Sequence, residues 1–145
     1  MSTPNPYAQY QRTAVETASP TKLVVMLYDG AIRFLTKVPA AIETKNYYEQ
    51  SLYINKTQAI IAHLFGTLDF EKGGKVAQSL SDTYIKMYDL LTAANINDDV
   101  ERVQKVIYSL RELREAWVEV DRQLTTRPAD PIVGKEQARD LARAA

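Results

Sequence analysis

The stretch that decides the fold is residues 98–124, DDVERVQKVIYSLRELREAWVEVDRQL. Within it Val103, Val106, Leu110, Leu113, Trp117, Val120 and Leu124 recur at spacings of three and four. That period lays one apolar seam along one side of a helix, the pattern that packs helices at about 20° to one another. Asp98 and Glu101 ahead of the seam read as a capping box with aspartate in the Ser/Thr role, which predicts a helix over about 99–124.

The segments before it repeat the pattern. Val76, Leu80, Tyr84, Met87, Leu91 and Ala94 predict a helix over 73–94, and Ile54, Ile61, Leu64, Phe65 and Leu68 predict one over 47–68. The first helix, over 20–45, opens at Ser19-Pro20, an N-cap hydroxyl followed by proline where a missing N–H costs nothing. Leu23, Leu27, Ala31, Phe34, Val38 and Ala41 form its seam, and Pro39 predicts a kink or early end in its last turns. The connections, near residue 46, over 69–74 and over 95–98, are too short for anything but antiparallel neighbours. The expected fold is all-α, an antiparallel up-down four-helix bundle over residues 19–124. It has a short N-terminal arm over 1–18 and a mobile C-terminal tail over 125–145. No strand-like alternation or internal repeat competes with this reading.

Composition narrows the function. The 145 residues form one domain, 46% hydrophobic and 25% charged, large enough to bury a core without a disulfide or metal. Eighteen basic residues balance eighteen acidic ones, so the bulk positive field that holds nucleic acid or anionic lipid is missing. There is no cysteine and a single histidine, His63, which is expected at the solvent face. Residues 69–80 begin like a calcium loop and fail at Leu80, and Gly74-Lys75 lacks the upstream glycine of a phosphate loop. The sequence therefore calls for no catalytic residue, no metal site and no cofactor. The longest apolar run, Leu23 to Tyr28, is six residues, far short of a membrane span. A cytoplasmic protein without membrane insertion is expected.

Two features ask for a protein partner. On the first helix the apolar sector, from Leu23 through Leu35, Tyr28 and Ile32 to Val25, is about twice the ~100° that one core face needs. Either this helix is the most buried of the four, or Val25, Tyr28 and Ile32 line a groove for a partner. Tyrosine is the second feature: nine tyrosines stand against three phenylalanines. Tyr48, Tyr53 and Tyr108 fall off the core faces, and Tyr7 and Tyr10 lie in the polar, Pro-containing arm, where aromatic rings want a surface to lie on. Under the groove reading those two arm tyrosines cover it.

At these residues the chain resembles a known family. Asn5-Pro6-Tyr7-Ala8-Gln9-Tyr10, Val15-Glu16-Thr17-Ala18-Ser19-Pro20-Thr21-Lys22-Leu23 and Met26-Leu27-Tyr28-Asp29-Gly30-Ala31-Ile32 are similar to the flagellar export chaperone family FliS. Ala41-Ile42, Asn55-Lys56, Gln58 to Ile61, Leu68-Asp69, Gly73-Gly74, Ala94-Asn95, Leu113-Arg114 and Trp117 extend the likeness to about residues 5–124. Pro6 and Val38-Pro39 depart from it, and nothing after Leu124 has a counterpart. The resemblance implies a helical bundle without enzymatic activity. It would bind the C-terminal segment of flagellin, prevent premature polymerisation and help deliver the segment to the flagellar type III export gate. It leaves room for other flagellar regulators at the same groove. Carried over by position, it implies Tyr7 and Tyr10 as arm aromatics, Leu27, Tyr28 and Ile32 as groove wall, and Val25, Asn55 and Gln58 beside them. The alternative is a self-associating bundle, an adaptor or regulator, whose first-helix stripe is a homodimer interface.

Overall fold

The computed structural model describes residues 9, 12, 13, 17–125 and 142. All of its regular structure among these is helical: α1 (Pro20–Leu35), α2 (Val38–Glu43), α3 (Tyr47–Gly66), α4 (Phe70–Asn97) and α5 (Val100–Thr125). α1 packs on α3 and α5, and α4 packs on the same two, so α1 and α4 stand at opposite corners of an antiparallel bundle. α2 continues along α3 and α5 and completes the first corner.

Each boundary has a local cause. Ser19 caps α1, its hydroxyl accepting from the Lys22 N–H at 3.2 Å, with Pro20 as the first helical residue. α1 ends at Leu35, whose carbonyl cannot receive the i+4 bond because Pro39 has no N–H; the chain re-enters a helix as α2 after Thr36 and Lys37. The expected single helix over 20–45 is therefore two, broken where proline acts.

Other expected limits also shift. α3 stops at Gly66 instead of residue 68, and α4 begins at Phe70, where the Asp69 carboxylate accepts from the Lys72 N–H at 2.9 Å. The first turn of α4 ends at Gly74, whose φ of 50° and ψ of −126° belong to glycine. The cap of α5 is Asp99, which accepts from the Arg102 N–H at 3.2 Å, so the capping box placed at Asp98 and Glu101 does not form. Asp98 instead ends α4 in the left-handed conformation, φ 53°, and accepts from Gln50 Nε2 at 2.8 Å. Most of the arm over 1–18 and the tail over 125–145 lies outside the described residues. Of the arm, Gln9, Arg12, Thr13 and Thr17 are helical and exposed.

The core largely follows the expected seams of α3, α4 and α5, Phe65 and Leu124 excepted. On α1 it is turned: Val24, Val25, Tyr28 and Leu35 are buried with Ala31, whereas Leu23, Leu27 and Phe34, expected there, are half-buried because α1 is flanked by α3 and α5. Ala31 and Leu35 meet Ile54, Ile61 and Leu64 of α3, Leu80, Met87 and Leu91 of α4, and Val103, Val106, Leu110, Trp117 and Val120 of α5. At its centre one polar bond crosses the bundle diagonal: the Tyr28 and Tyr84 hydroxyls lie 2.6 Å apart, both rings buried. Burial raises both phenol pKa values, Tyr28 strongly and Tyr84 to about 12, the Tyr84 neighbour raising Tyr28 further while Trp117 opposes that rise.

Tyr28→Phe leaves the Tyr84 hydroxyl buried without its partner and should cost about 1–3 kcal/mol in urea unfolding, while Tyr28→Phe with Tyr84→Phe should recover part of that loss. Equal additive losses would show that the two hydroxyls act independently. The same pair sets an alkaline limit. The unfolded chain releases phenolic protons near pH 10 that the folded chain still holds, so stability should be full below about pH 10 and fall as pH rises towards 12. Denaturation midpoints across that window check the slope, which should shrink in the double variant.

Candidate functional site

The wide apolar sector of α1 is largely used inside the molecule. On one flank Gly30 lies against α3, where an added Cβ would meet Ile60 Cδ1 at 3.4 Å, and the Phe34 ring stacks on Tyr53 with centroids 6.1 Å apart. On the other flank Asp29 pairs with Arg114 of α5, and Asp121 accepts from Ser19 and Thr21 at 3.0 and 2.6 Å. A helix gripped on both sides needs apolar residues around most of its circumference. That is the first of the two readings of its sequence.

The expected site residues separate accordingly. Tyr28 does not form a groove wall: it is fully buried and its hydroxyl is spent on Tyr84. Val25 is likewise in the core. Gln58 is buried too, because its amide N–H groups donate across to α4, to the Tyr88 carbonyl at 3.1 Å and Thr92 Oγ1 at 2.8 Å. Its amide donors serve to join the two helices. Leu27 and Ile32 are half-buried and pack against the core from its edge. Asn55 is exposed on α3. Tyr7 and Tyr10 lie outside the described residues.

An open apolar surface lies between α3 and α4. Ile61, Ala62 and Phe65 from α3 and Tyr84, Ile85, Tyr88 and Asp89 from α4 enclose a depression of about 280 Å³. Ile61 and Tyr84 form its floor as members of the core, whereas Phe65, Ile85 and Tyr88 are 39%, 48% and 41% exposed. Tyr48, Asn55 and Ala62 follow one another at seven-residue steps and so share a line along α3. Ile85, Thr92 and Ile96, at steps of seven and four, run along the facing side of α4, and Tyr48 and Ile96 are among the most exposed large apolar residues described. The depression thus lies on a flank that follows both helices along the bundle.

Sequence reasoning missed this flank. Phe65 counts with Leu64 in the expected seam, yet it is one residue, 100° of helix, beyond the Ile54-Ile61-Leu64 line and is exposed. Ile85 and Tyr88 both sit off the Leu80-Tyr84-Met87-Leu91 seam, three residues apart, which marks a second apolar line on the same helix.

The surface offers apolar contact with one acid at its rim. Among the described residues no group of His, Asp or Glu is arranged to hold a metal ion, and no described helix is long and apolar enough to cross a membrane. An exposed apolar surface with a polar rim is the kind that marks protein–protein contact. Comparison with known proteins gives the family: the model of the family "Flagellar protein FliS" matches residues 3–124, and the chain belongs to that family. It is 38% identical over 114 residues to the flagellar secretion chaperone FliS of Campylobacter jejuni, covering 79% of this chain and 89% of that one. The FliS of Bacillus subtilis is 33% identical, with 81% and 86% covered, and that of Salmonella typhimurium 34% identical, with 79% and 86% covered. The family is one of chaperones, not of enzymes.

Gln58→Ala should destabilise the bundle by about 1–2 kcal/mol through the lost donors to α4, read as a lower thermal midpoint. An unchanged midpoint would show that the α3–α4 contact does not depend on this amide.

Proposed function

We propose that this protein is a cytoplasmic flagellar secretion chaperone that holds the C-terminal segment of flagellin, keeps it from polymerising and assists its delivery to the type III export apparatus. The observation that supports this best is the open apolar flank of α3 and α4 in a chain of the FliS family. A segment that is disordered when free loses ordering entropy on binding, and a long apolar flank returns that loss as buried surface. A flank as long as the bundle suits a client that lies along it as a helix, its apolar residues over Phe65, Ile85 and Tyr88 and its polar edge near Asn55. Leu27 and Ile32 extend the contact at the edges of α1. Tyr7 and Tyr10 act from the arm as the chaperone's own cover for apolar surface.

Calorimetric titration with a peptide copying the C-terminal segment of the organism's own flagellin tests this reading. One-to-one binding with a large negative heat-capacity change is expected. Ile85→Asp should weaken it more than about tenfold by placing a charge in the apolar contact. Because Ile85 is already half exposed, the same variant should keep its helicity and lose no more than about 0.5 kcal/mol of stability. Unchanged affinity in the folded variant would remove the α3–α4 flank from the site. No heat with the unaltered protein, together with a doubled mass in solution, would favour the self-associating adaptor.

A further inference from the structure

On the opposite side of α3 from the groove, α1 and α3 lie side by side at Gly30, where an added Cβ would meet Ile60 Cδ1 at 3.4 Å. One turn further along α1 comes Phe34, and seven residues before Ile60 on α3 comes Tyr53. Their half-buried rings stack, with centroids 6.1 Å apart and planes 23° from parallel. Three cations stand over this pair. The Lys37 ammonium is 4.8 Å from the Tyr53 centroid, and the Lys56 ammonium and Arg33 guanidinium are 5.2 and 5.6 Å from that of Phe34. All three residues are exposed, and among the described residues no carboxylate forms an ion pair with any of them. Asp29, one turn before Arg33, is turned to the other flank of α1 and pairs with Arg114 of α5.

We propose that this α1–α3 face is a second docking surface, distinct from the groove between α3 and α4, and that it takes an acidic segment of a partner protein. The carboxylates of that segment sit on Arg33, Lys37 and Lys56, and its apolar residues lie against the edges of Phe34 and Tyr53. The inference goes beyond the chaperone reading and does not rest on it.

Charge decides the class of partner. In a chain whose eighteen bases balance eighteen acids, three cations gathered without a paired acid leave a local positive field. A cation above a ring face is held in place, so an arriving carboxylate meets charges already positioned and completes a carboxylate–cation–ring stack. Acidic residues three or four apart on a helix have Cβ atoms about 5–6 Å apart, which lets neighbouring carboxylates reach separate cations of the cluster. The apolar part of the contact continues along α1: Leu23 and Met26, seven and four residues before Gly30 and so on its line, are half-buried. Nucleic acid fits less well, because the ring faces on which a base would stack are taken by each other and by the cations, and three cations neutralise few phosphates. The groove between α3 and α4 has Asp89 at its rim and would not attract the same segment.

The probe is a fluorescein-labelled peptide of Glu-Ala-Leu-Glu repeats, and the same peptide with Gln in place of Glu is its control. The full chain should bind the Glu peptide, lose about tenfold in affinity between about 50 and 300 mM salt, and bind the Gln peptide at least tenfold more weakly. Backbone amide resonances should shift at Arg33, Phe34, Lys37, Tyr53 and Lys56. Lys37→Gln with Lys56→Gln removes two charges from exposed positions, so it should keep the helicity, weaken the Glu peptide about tenfold and leave affinity for the flagellin C-terminal peptide unaltered. No binding of the Glu peptide, equal binding of the Gln peptide, or shifts confined to the α3–α4 groove would overturn the proposal. Loss of both ligands in the double variant would also overturn it, since the face would then belong to the client's site. Tighter binding of an oligothymidylate than of the Glu peptide would give the face to nucleic acid instead. If the flagellin peptide fails to bind while the Glu peptide shifts the α1–α3 face, the choice of client fails and this surface stands.

Discussion

Two phenolic hydroxyls meet at the centre of the bundle, and their meeting constrains everything around them. Tyr28 and Tyr84 come from helices at opposite corners, which share little other contact, so their bond ties the diagonal that the apolar seams leave loose. Apolar side chains set how much surface is buried but tolerate sliding by a turn. A buried hydroxyl does not, since a slip leaves it without a partner in a medium that penalises it. Trp117 of α5 lies against the same centre, where its indole N–H acts on the Tyr28 hydroxyl and adds another polar atom whose surroundings are fixed by register.

Polar contacts at the two ends repeat this logic with softer consequences. At one end Asp121 gathers the hydroxyls of Ser19 and Thr21, holding the start of α1 to the last turns of α5. At the other, Gln50 reaches the Asn95 carbonyl and the Asp98 carboxylate, binding the start of α3 to the turn after α4. Between them Gln58 joins α3 to α4. Polar clamps of this sort let the flank of α3 and α4 stay apolar at its surface without relying on that surface for cohesion.

The fold was legible in the sequence because its decisive signal is periodic. The seam from Val103 to Val120, and those of α3 and α4, need only be counted to place most of the core, whereas on α1 the count selects Leu23, Leu27 and Phe34 where Val24, Tyr28 and Leu35 are the buried residues. Boundaries were less legible where two adjacent residues offered the same chemistry: Asp98 and Asp99 are alike as letters, and only the left-handed turn at Asp98 decides that Asp99 is the cap. The candidate site was the least legible part. An apolar sector on α1 looks the same whether a partner or two neighbouring helices cover it, and a glutamine looks the same whether it faces a client or, like Gln58, spends its donors on the next helix. Tyr28 is the clearest case, since amphipathic character at a surface and hydrogen bonding in a core call for the same residue.

Gln58 also acts as a spacer. Because its amide bonds to the backbone carbonyl of Tyr88, this tie between α3 and α4 beside the groove does not depend on which side chain stands at position 88. On the proposed reading, a client in this groove would be matched by its breadth more than by its order of residues. Sequence drift in the bound strip would be absorbed so long as its cross-section is kept, and discrimination would have to come from how far along the bundle that strip extends.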